Sequence, residues 1–172
     1  MLPAILVALV LRVSVSPPPT PSCRVASTIW DVQTRLEYRR QNLNAGPSSP
    51  RELLTALMYA DNTSDLEGVV ALYAENAVLL PPNEPVVQGR NAIRARYRGI
   101  FAATRMQVRF EIDDEHVERT LATVRGRTIG RRVSTDGARV DDLTGKFVMV
   151  LKSDGSGWTI STLIWNADGP AK

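Results

Sequence analysis

Cysteine and histidine are nearly missing from this chain. In 172 residues there is one of each, Cys23 and His116. One cysteine excludes an intrachain disulfide and a cysteine-based zinc cage. One histidine excludes any site built from several imidazoles. Lysine is scarce as well, since 18 of the 21 basic side chains are arginine. Long apolar runs are absent. The run at residues 2–11 (LPAILVALVL) has ten residues, whereas a bilayer span takes about 20. No stable membrane span is expected.

Charge is unevenly placed. The formal net charge is +3. Residues 1–50 carry five arginines against Asp31 and Glu37, and residues 51–172 carry equal numbers of basic and acidic side chains. The stretch that reads as folded is therefore neutral. It offers no global basic field, and no nucleic-acid partner is expected.

Three segments follow from composition. Residues 1–23 read as a leader or signal-like segment that does not fold. The apolar run suits a secretory signal, but the charged start is missing and the region behind it is proline-rich (Pro17, Pro18, Pro19, Pro21). The location is open: cytoplasmic, or secreted if this segment works as a signal. Residues 24–48 read as an amphipathic helix, with Val25, Ile29, Val32 and Leu36 on one face, followed by a linker (NLNAGPSSP). Residues 49–169 read as the domain.

Within that domain the period of the pattern changes. Ser49-Pro50-Arg51-Glu52 is a capping box with proline at the first helical position. Leu53, Leu54, Leu57 and Met58 follow as an apolar face. Ser64-Asp65-Leu66-Glu67 reads as a second box, and Leu66, Val69, Val70 and Tyr73 as the face of a second helix ending near Asn76. Val78-Leu79-Leu80 before Pro81-Pro82 is a short strand. A third helix is predicted from Arg90 to Ala103, with Ile93, Tyr97, Ile100 and Phe101 inward. Beyond it apolar residues alternate: Val108, Phe110, Ile112; then Ala122, Val124, Gly126; then Trp158, Ile160, Thr162, Ile164. Gly145 to Leu151 is apolar on both faces, as a central strand is. Turn signals stand at Thr135-Asp136-Gly137 and at residues 153–157. Helices first and strands afterwards argue for an α+β fold.

The stretch Asp65 to Pro82 (DLEGVVALYAENAVLLPP) resembles a hallmark of the nuclear transport factor 2-like superfamily, nearest its SnoaL-like, SgcJ/EcaC-type branch. Gly89-Arg90-Asn91-Ala92-Ile93-Arg94 is similar to that family's third helix. Gly145-Lys146-Phe147, Gly157-Trp158-Thr159-Ile160 and Ile164-Trp165-Asn166 are similar to its last two strands. The resemblance covers about residues 50–168. It implies a cone: a strongly curved, mixed or antiparallel sheet wrapped around three N-terminal helices, with a pocket at the open end. It also implies frequent homodimers and, where members catalyse, cofactor-free proton transfer.

Fold does not fix function. In ketosteroid isomerases of this superfamily a carboxylate base precedes a proline after the second helix; the matching residue here is Pro81, so that reaction is not expected. A scytalone dehydratase-like site needs several histidines. A cyclase-like site needs one acid–base residue on an inner strand, and Glu111, Asp141 and Asp142 qualify by position only. Asp114 and His116 share a strand face, too few ligands for a metal site, and neither metal nor cofactor is expected. Two arginine groups stand out, Arg90, Arg94 and Arg98 on the third helix and Arg125, Arg127, Arg131 and Arg132 on one hairpin; both read as solvated faces with carboxylate neighbours.

Two functions remain. The first is a small-molecule-pocket protein binding an apolar or aromatic ligand, lined by Tyr73, Leu80, Tyr97, Phe101, Phe110, Met149, Thr162 and Asn166, its reaction unassigned or a cofactor-free isomerase, cyclase or hydrolase. The second is a non-catalytic homodimeric association domain whose cone is filled by its own side chains. A large pocket with convergent polar groups favours the first, and closure by Phe101 and Trp165 the second.

Overall fold

The computed structural model describes residues 46–169. The leader and the amphipathic helix expected before residue 46 lie outside the described residues.

Helix α1 spans Pro50–Thr63 and starts as its sequence requires: Ser49 Oγ accepts from the Glu52 amide at 3.2 Å, with proline in the first turn. The Glu52 carboxylate accepts from the amide and hydroxyl of Ser48, both at 2.7 Å. Ser64 then turns into the left-handed region (φ 55°) and closes the helix, so it is a C-cap and not the start of a second box. Asp65 is the N-cap of α2 (Leu66–Ala71), accepting from Gly68 N at 3.0 Å.

Helix α2 is shorter than its apolar spacing predicts. Tyr73 opens strand β1 (Tyr73–Leu80). Leu66, Val69, Val70 and Tyr73 fit a helical face, but a strand that follows the helix can inherit the next position of that stripe. Arg90 fixes the break, because its guanidinium donates twice to the Tyr73 carbonyl, at 2.6 and 3.0 Å. Strand β2 (Val87–Gln88) returns along β1, and α3 (Arg90–Ala103) follows with Ile93, Tyr97 and Phe101 buried.

The remaining strands are β3 (Thr104–Glu118), β4 (Leu121–Ser134), β5 (Val140–Asp142), β6 (Gly145–Ser153) and β7 (Trp158–Ala167). The sheet runs β2-β1-β7-β6-β4-β3, with β5 on β4. The pairing of β1 with β7 is parallel and every other pairing antiparallel. The result is a mixed, curled, unclosed sheet with helices on its concave face, the α+β cone that the resemblance implies.

Curvature has a local cause at Gly126. Its register partners are Ile112 on β3 and Phe147 on β6. A Cβ there would meet the Glu111 carbonyl at 2.2 Å and Phe147 Cζ at 2.8 Å. The missing side chain lets β3 approach and lets the Phe147 ring lean across β4 to meet Phe110 edge-on, with centroids 5.6 Å apart. At the free edge of β3, Asn62 replaces a strand. Its amide donates to Val108 O at 2.8 Å and its carbonyl accepts from Val108 N at 2.7 Å.

Strand β7 contains a register shift that reverses its alternation. Leu151 pairs with Ile160 and Val150 with Thr162, which leaves Ser161 as an extra residue. Trp158 and Ile160 face the core before it, and Leu163 after it. Thr162 and Ile164 therefore stand on the convex face, opposite to what strict alternation predicts. The convex face is divided. On β3 and β4 it is an ion-pair ladder, with Arg127 bridging Glu111 and Asp113, and Arg125 reaching Asp113. On β6 and β7 it is apolar, with the paired Val148 and Ile164 40% and 45% exposed.

Candidate functional site

The concave side holds a small polar group in an apolar core. Tyr73 arrives on β1 and Tyr97 on α3; their hydroxyls are 3.0 Å apart. Tyr97 also stacks obliquely on Phe101, with centroids 5.4 Å apart. Both phenols are buried, and burial is the main cause that pushes them above the ordinary phenol range. They stay neutral and serve as hydrogen-bond groups.

Asp61, on the last turn of α1, belongs to the same interior. It is 3% exposed, and among the described residues its Oδ1 has no hydrogen-bond partner. Burial pushes its carboxyl up to about 8, and its charge would in turn oppose ionisation of Tyr73 and Tyr97. At neutral pH Asp61 is a neutral acid able to donate. In the sequence Asp61 is inconspicuous, because Asp61-Asn62-Thr63 looks like a polar helix end. The signal was its spacing: Asp61 falls four residues after Leu57, on the buried stripe.

Toward the edge of this interior, Arg96 of α3 forms a two-pronged ion pair with Glu84, the second prong at 3.0 Å. Its guanidinium carbon lies 5.9 Å from the ring centre of Trp165 on β7. The Arg96 guanidinium holds Glu84 below the usual carboxylate range.

The eight expected lining residues do not gather in one place. Tyr73, Tyr97 and Phe101 come together in the buried interior, and Met149 is buried as well. Phe110 lies instead on a cavity of about 330 Å³ between α1 and β3, with Arg51, Leu54, Thr55, Met58 and Ile112. A second cavity of about 460 Å³ lies along the same seam, beyond the Asn62–Val108 clamp. Leu80 pairs with Ile164, and Thr162 with Val78 and Val150, all on the convex side. Asn166 is exposed beside Lys146. The Ser161 bulge is the physical reason for both polar misplacements.

The other candidates are engaged elsewhere. Glu111 pairs with Arg109 and Arg127, and Asp141 with Arg132 and Arg139 at 2.9 and 2.7 Å. Asp142 accepts from the Thr144 amide. Arg90 pairs with Glu75, and Arg94 with Glu67. His116 is exposed on β3. Among the described residues no helix is long and apolar enough to cross a membrane.

Known proteins supply the class. The SnoaL-like domain model matches residues 54–156, and the chain belongs to that family, within the nuclear transport factor 2-like superfamily. Among solved structures it is similar to a ketosteroid isomerase-like protein from Erwinia carotovora atroseptica, with 21% identity over 70% of this chain and 94% of that one, TM-score 0.63. It is also similar to a protein from Planctomyces limnophilus (15% identity, 66% and 89% covered, TM-score 0.62). An NTF-2 like protein from Shewanella oneidensis is a third (20% identity, 66% and 93% covered, TM-score 0.53). At these identities the likeness is one of fold. No curated protein matches the sequence.

Proposed function

We propose that this domain is a homodimeric small-molecule-binding protein whose concave interior takes an apolar or aromatic ligand with one polar handle. One observation carries the reading: Asp61 is buried with an oxygen that has no hydrogen-bond partner among the described residues, in the interior that also holds the hydrogen-bonded pair Tyr73 and Tyr97, a core that gains nothing from it. Leaving a buried acceptor unpaired costs about 1–3 kcal/mol, and leucine would fill the same stripe of α1 without that cost. A neutral carboxyl and two phenols suit a ligand hydroxyl or carbonyl. Proton transfer by Asp61 is the chemistry such an interior would allow.

The test is titration with 2-naphthol, a flat aromatic with one hydroxyl, followed by its own emission. Saturable 1:1 binding, weakened at least tenfold in Asp61→Leu and Tyr97→Phe, is the expected result. Absence of saturable binding would overturn the reading. A second reading then stands, an association domain closed on itself, favoured by the burial of Tyr97, Phe101 and Met149. In either case the convex face of β6 and β7 is the surface for a second copy, since Val148 and Ile164 form an apolar strip beside a charged one.

A further inference from the structure

Glu84 and Arg96 form an ion pair that is odd on two counts. The first is burial. The Arg96 side chain is 20% exposed while its partner is 49% exposed, so a largely sunken guanidinium is matched to a carboxylate that remains half in water. An ion pair with one wet partner contributes little to stability. The second is the setting. The guanidinium lies within cation–π range of Trp165, and α3 delivers it one residue before Tyr97. A planar fork with both prongs in use, beside a flat aromatic and at the edge of an apolar interior, has the chemistry of a carboxylate seat.

The occupant comes from the chain's own loop. Glu84 lies between β1 and β2 in the segment Pro81-Pro82-Asn83-Glu84-Pro85-Val86. Asn83 takes a left-handed conformation (φ 57°), and three prolines stiffen the loop on either side. Glu84 is thus presented to Arg96 by a short stiff arch, while Val86 at its far end is 58% exposed. A carboxylate held there shields Arg96 and can be exchanged for another carboxylate without opening the core.

We infer that Arg96 is the anchor for a ligand carboxylate, that Trp165 is the aromatic face against which the ligand's apolar body lies, and that Glu84 is an internal stand-in which the ligand displaces. The substrate class is an aromatic or long-chain aliphatic monocarboxylic acid. This rests on the ligand-binding reading above and narrows it.

The experiment compares 3-phenylpropionate with its neutral amide, 3-phenylpropionamide, by calorimetric titration on the full chain. The variants are Glu84→Ala, Arg96→Gln and Arg96→Lys, each checked for an unchanged thermal midpoint. Tryptophan emission is read alongside, with Trp165→Phe as the variant that locates the signal. Glu84→Ala should bind the acid at least tenfold tighter than the wild type does and leave amide affinity unchanged. Arg96→Gln should lose all preference for acid over amide. Arg96→Lys, a point charge without a fork, should keep only part of it. Equal acid affinity in wild type and Glu84→Ala, or a preference that survives Arg96→Gln, overturns the inference. If acid and amide bind equally to every folded variant, the anchor fails and the ligand-binding reading stands. If neither binds any variant, the inference fails, and the 2-naphthol titration decides the ligand-binding reading separately.

Discussion

The hydroxyls of Tyr73 and Tyr97 meet 3.0 Å apart although they come from elements of opposite kind, a strand that begins at Tyr73 and a helix that carries Tyr97 in its middle. Each is the other's hydrogen-bond partner in a buried place. Replacing one leaves the other hydroxyl stranded, which costs about 1–3 kcal/mol, whereas replacing both removes the mismatch. Tyr97→Phe should therefore lower unfolding free energy by that amount. The Tyr73→Phe/Tyr97→Phe double variant should lose less than the two single losses added. Urea unfolding of the four proteins completes the cycle; strict additivity would mean that the pair is not coupled.

Asp61 should tie stability to pH in the direction opposite to a surface carboxylate. Its folded carboxyl is raised to about 8 from an ordinary 3.8. Below about pH 4 both folded and unfolded chains hold the proton and no penalty exists. Between pH 4 and 8 the unfolded chain releases it and the folded chain keeps it, so stability falls as pH rises, and the loss levels off above 8. Asp61→Asn should flatten this slope and raise the thermal midpoint at pH 8 more than at pH 5. A wild type whose midpoint climbs from pH 5 to 8, with the variant following in parallel, would contradict the placement of Asp61. The lowered carboxyls Glu52, Glu84 and Asp141 act in the reverse sense, and their contributions vanish as pH falls through their folded values.

Most of the cone was legible in the residues because the pattern that builds it is local. The Ser49 cap, the third helix and the change from a helical to an alternating period each depend on a few neighbours, and the structure keeps them. The site was less legible, for two reasons that concern particular residues. Tyr73 fits a helical stripe and a strand start equally well, and only Arg90, 17 residues away, decides between them. Ser161 adds one residue to β7, and one residue is enough to move Thr162 from the concave to the convex face. Asp61 was overlooked for the opposite reason: its type said surface, and its phase on α1 said core.

Two glycines of opposite character test the account of curvature. Gly126 has the Glu111 carbonyl and the Phe147 ring where a Cβ would go, and a Cβ on Gly99, in the middle of α3, would meet nothing within 4 Å among the described residues. Gly126→Ala forces β3 or Phe147 to move, which costs about 1–3 kcal/mol. Gly99→Ala only removes unfolded-chain freedom and should stabilise by about 0.5–1 kcal/mol. Chemical denaturation of both variants should give changes of opposite sign. A neutral Gly126→Ala would mean that the close approach of β3 is not required.

The apolar strip on the convex face should hold a second copy. Val148 and Ile164 are direct cross-strand partners and are both exposed, so a charge at either place disturbs an interface more than a core. Val148→Asp should shift a micromolar sample from dimer toward monomer in sedimentation velocity while its circular dichroism spectrum stays that of the wild type. A wild type that sediments only as monomer at these concentrations rules the interface out.

Ketosteroid isomerisation should be absent despite the shared fold. Abstracting the proton beside a carbonyl needs a base held within about 3 Å of that carbon. In the isomerase pattern that base stands where this chain has Pro81, which is buried and extends the inward row of Ala77 and Leu79. Proline has no side-chain lone pair, so no shift of pKa can replace the lost group. Among the described residues Asp61 is the remaining carboxyl of the interior, and at pH 7 it holds its proton and acts as an acid, not a base. With a Δ5-3-ketosteroid at pH 7 the purified protein should match the uncatalysed rate, and Tyr73→Phe and Tyr97→Phe should change nothing. Robust wild-type turnover that survives both tyrosine changes would place the acid–base group elsewhere in the cone. Turnover that appears only above pH 8 and disappears in Asp61→Asn would make Asp61 the base, because above its raised pKa it becomes a buried carboxylate able to accept a proton.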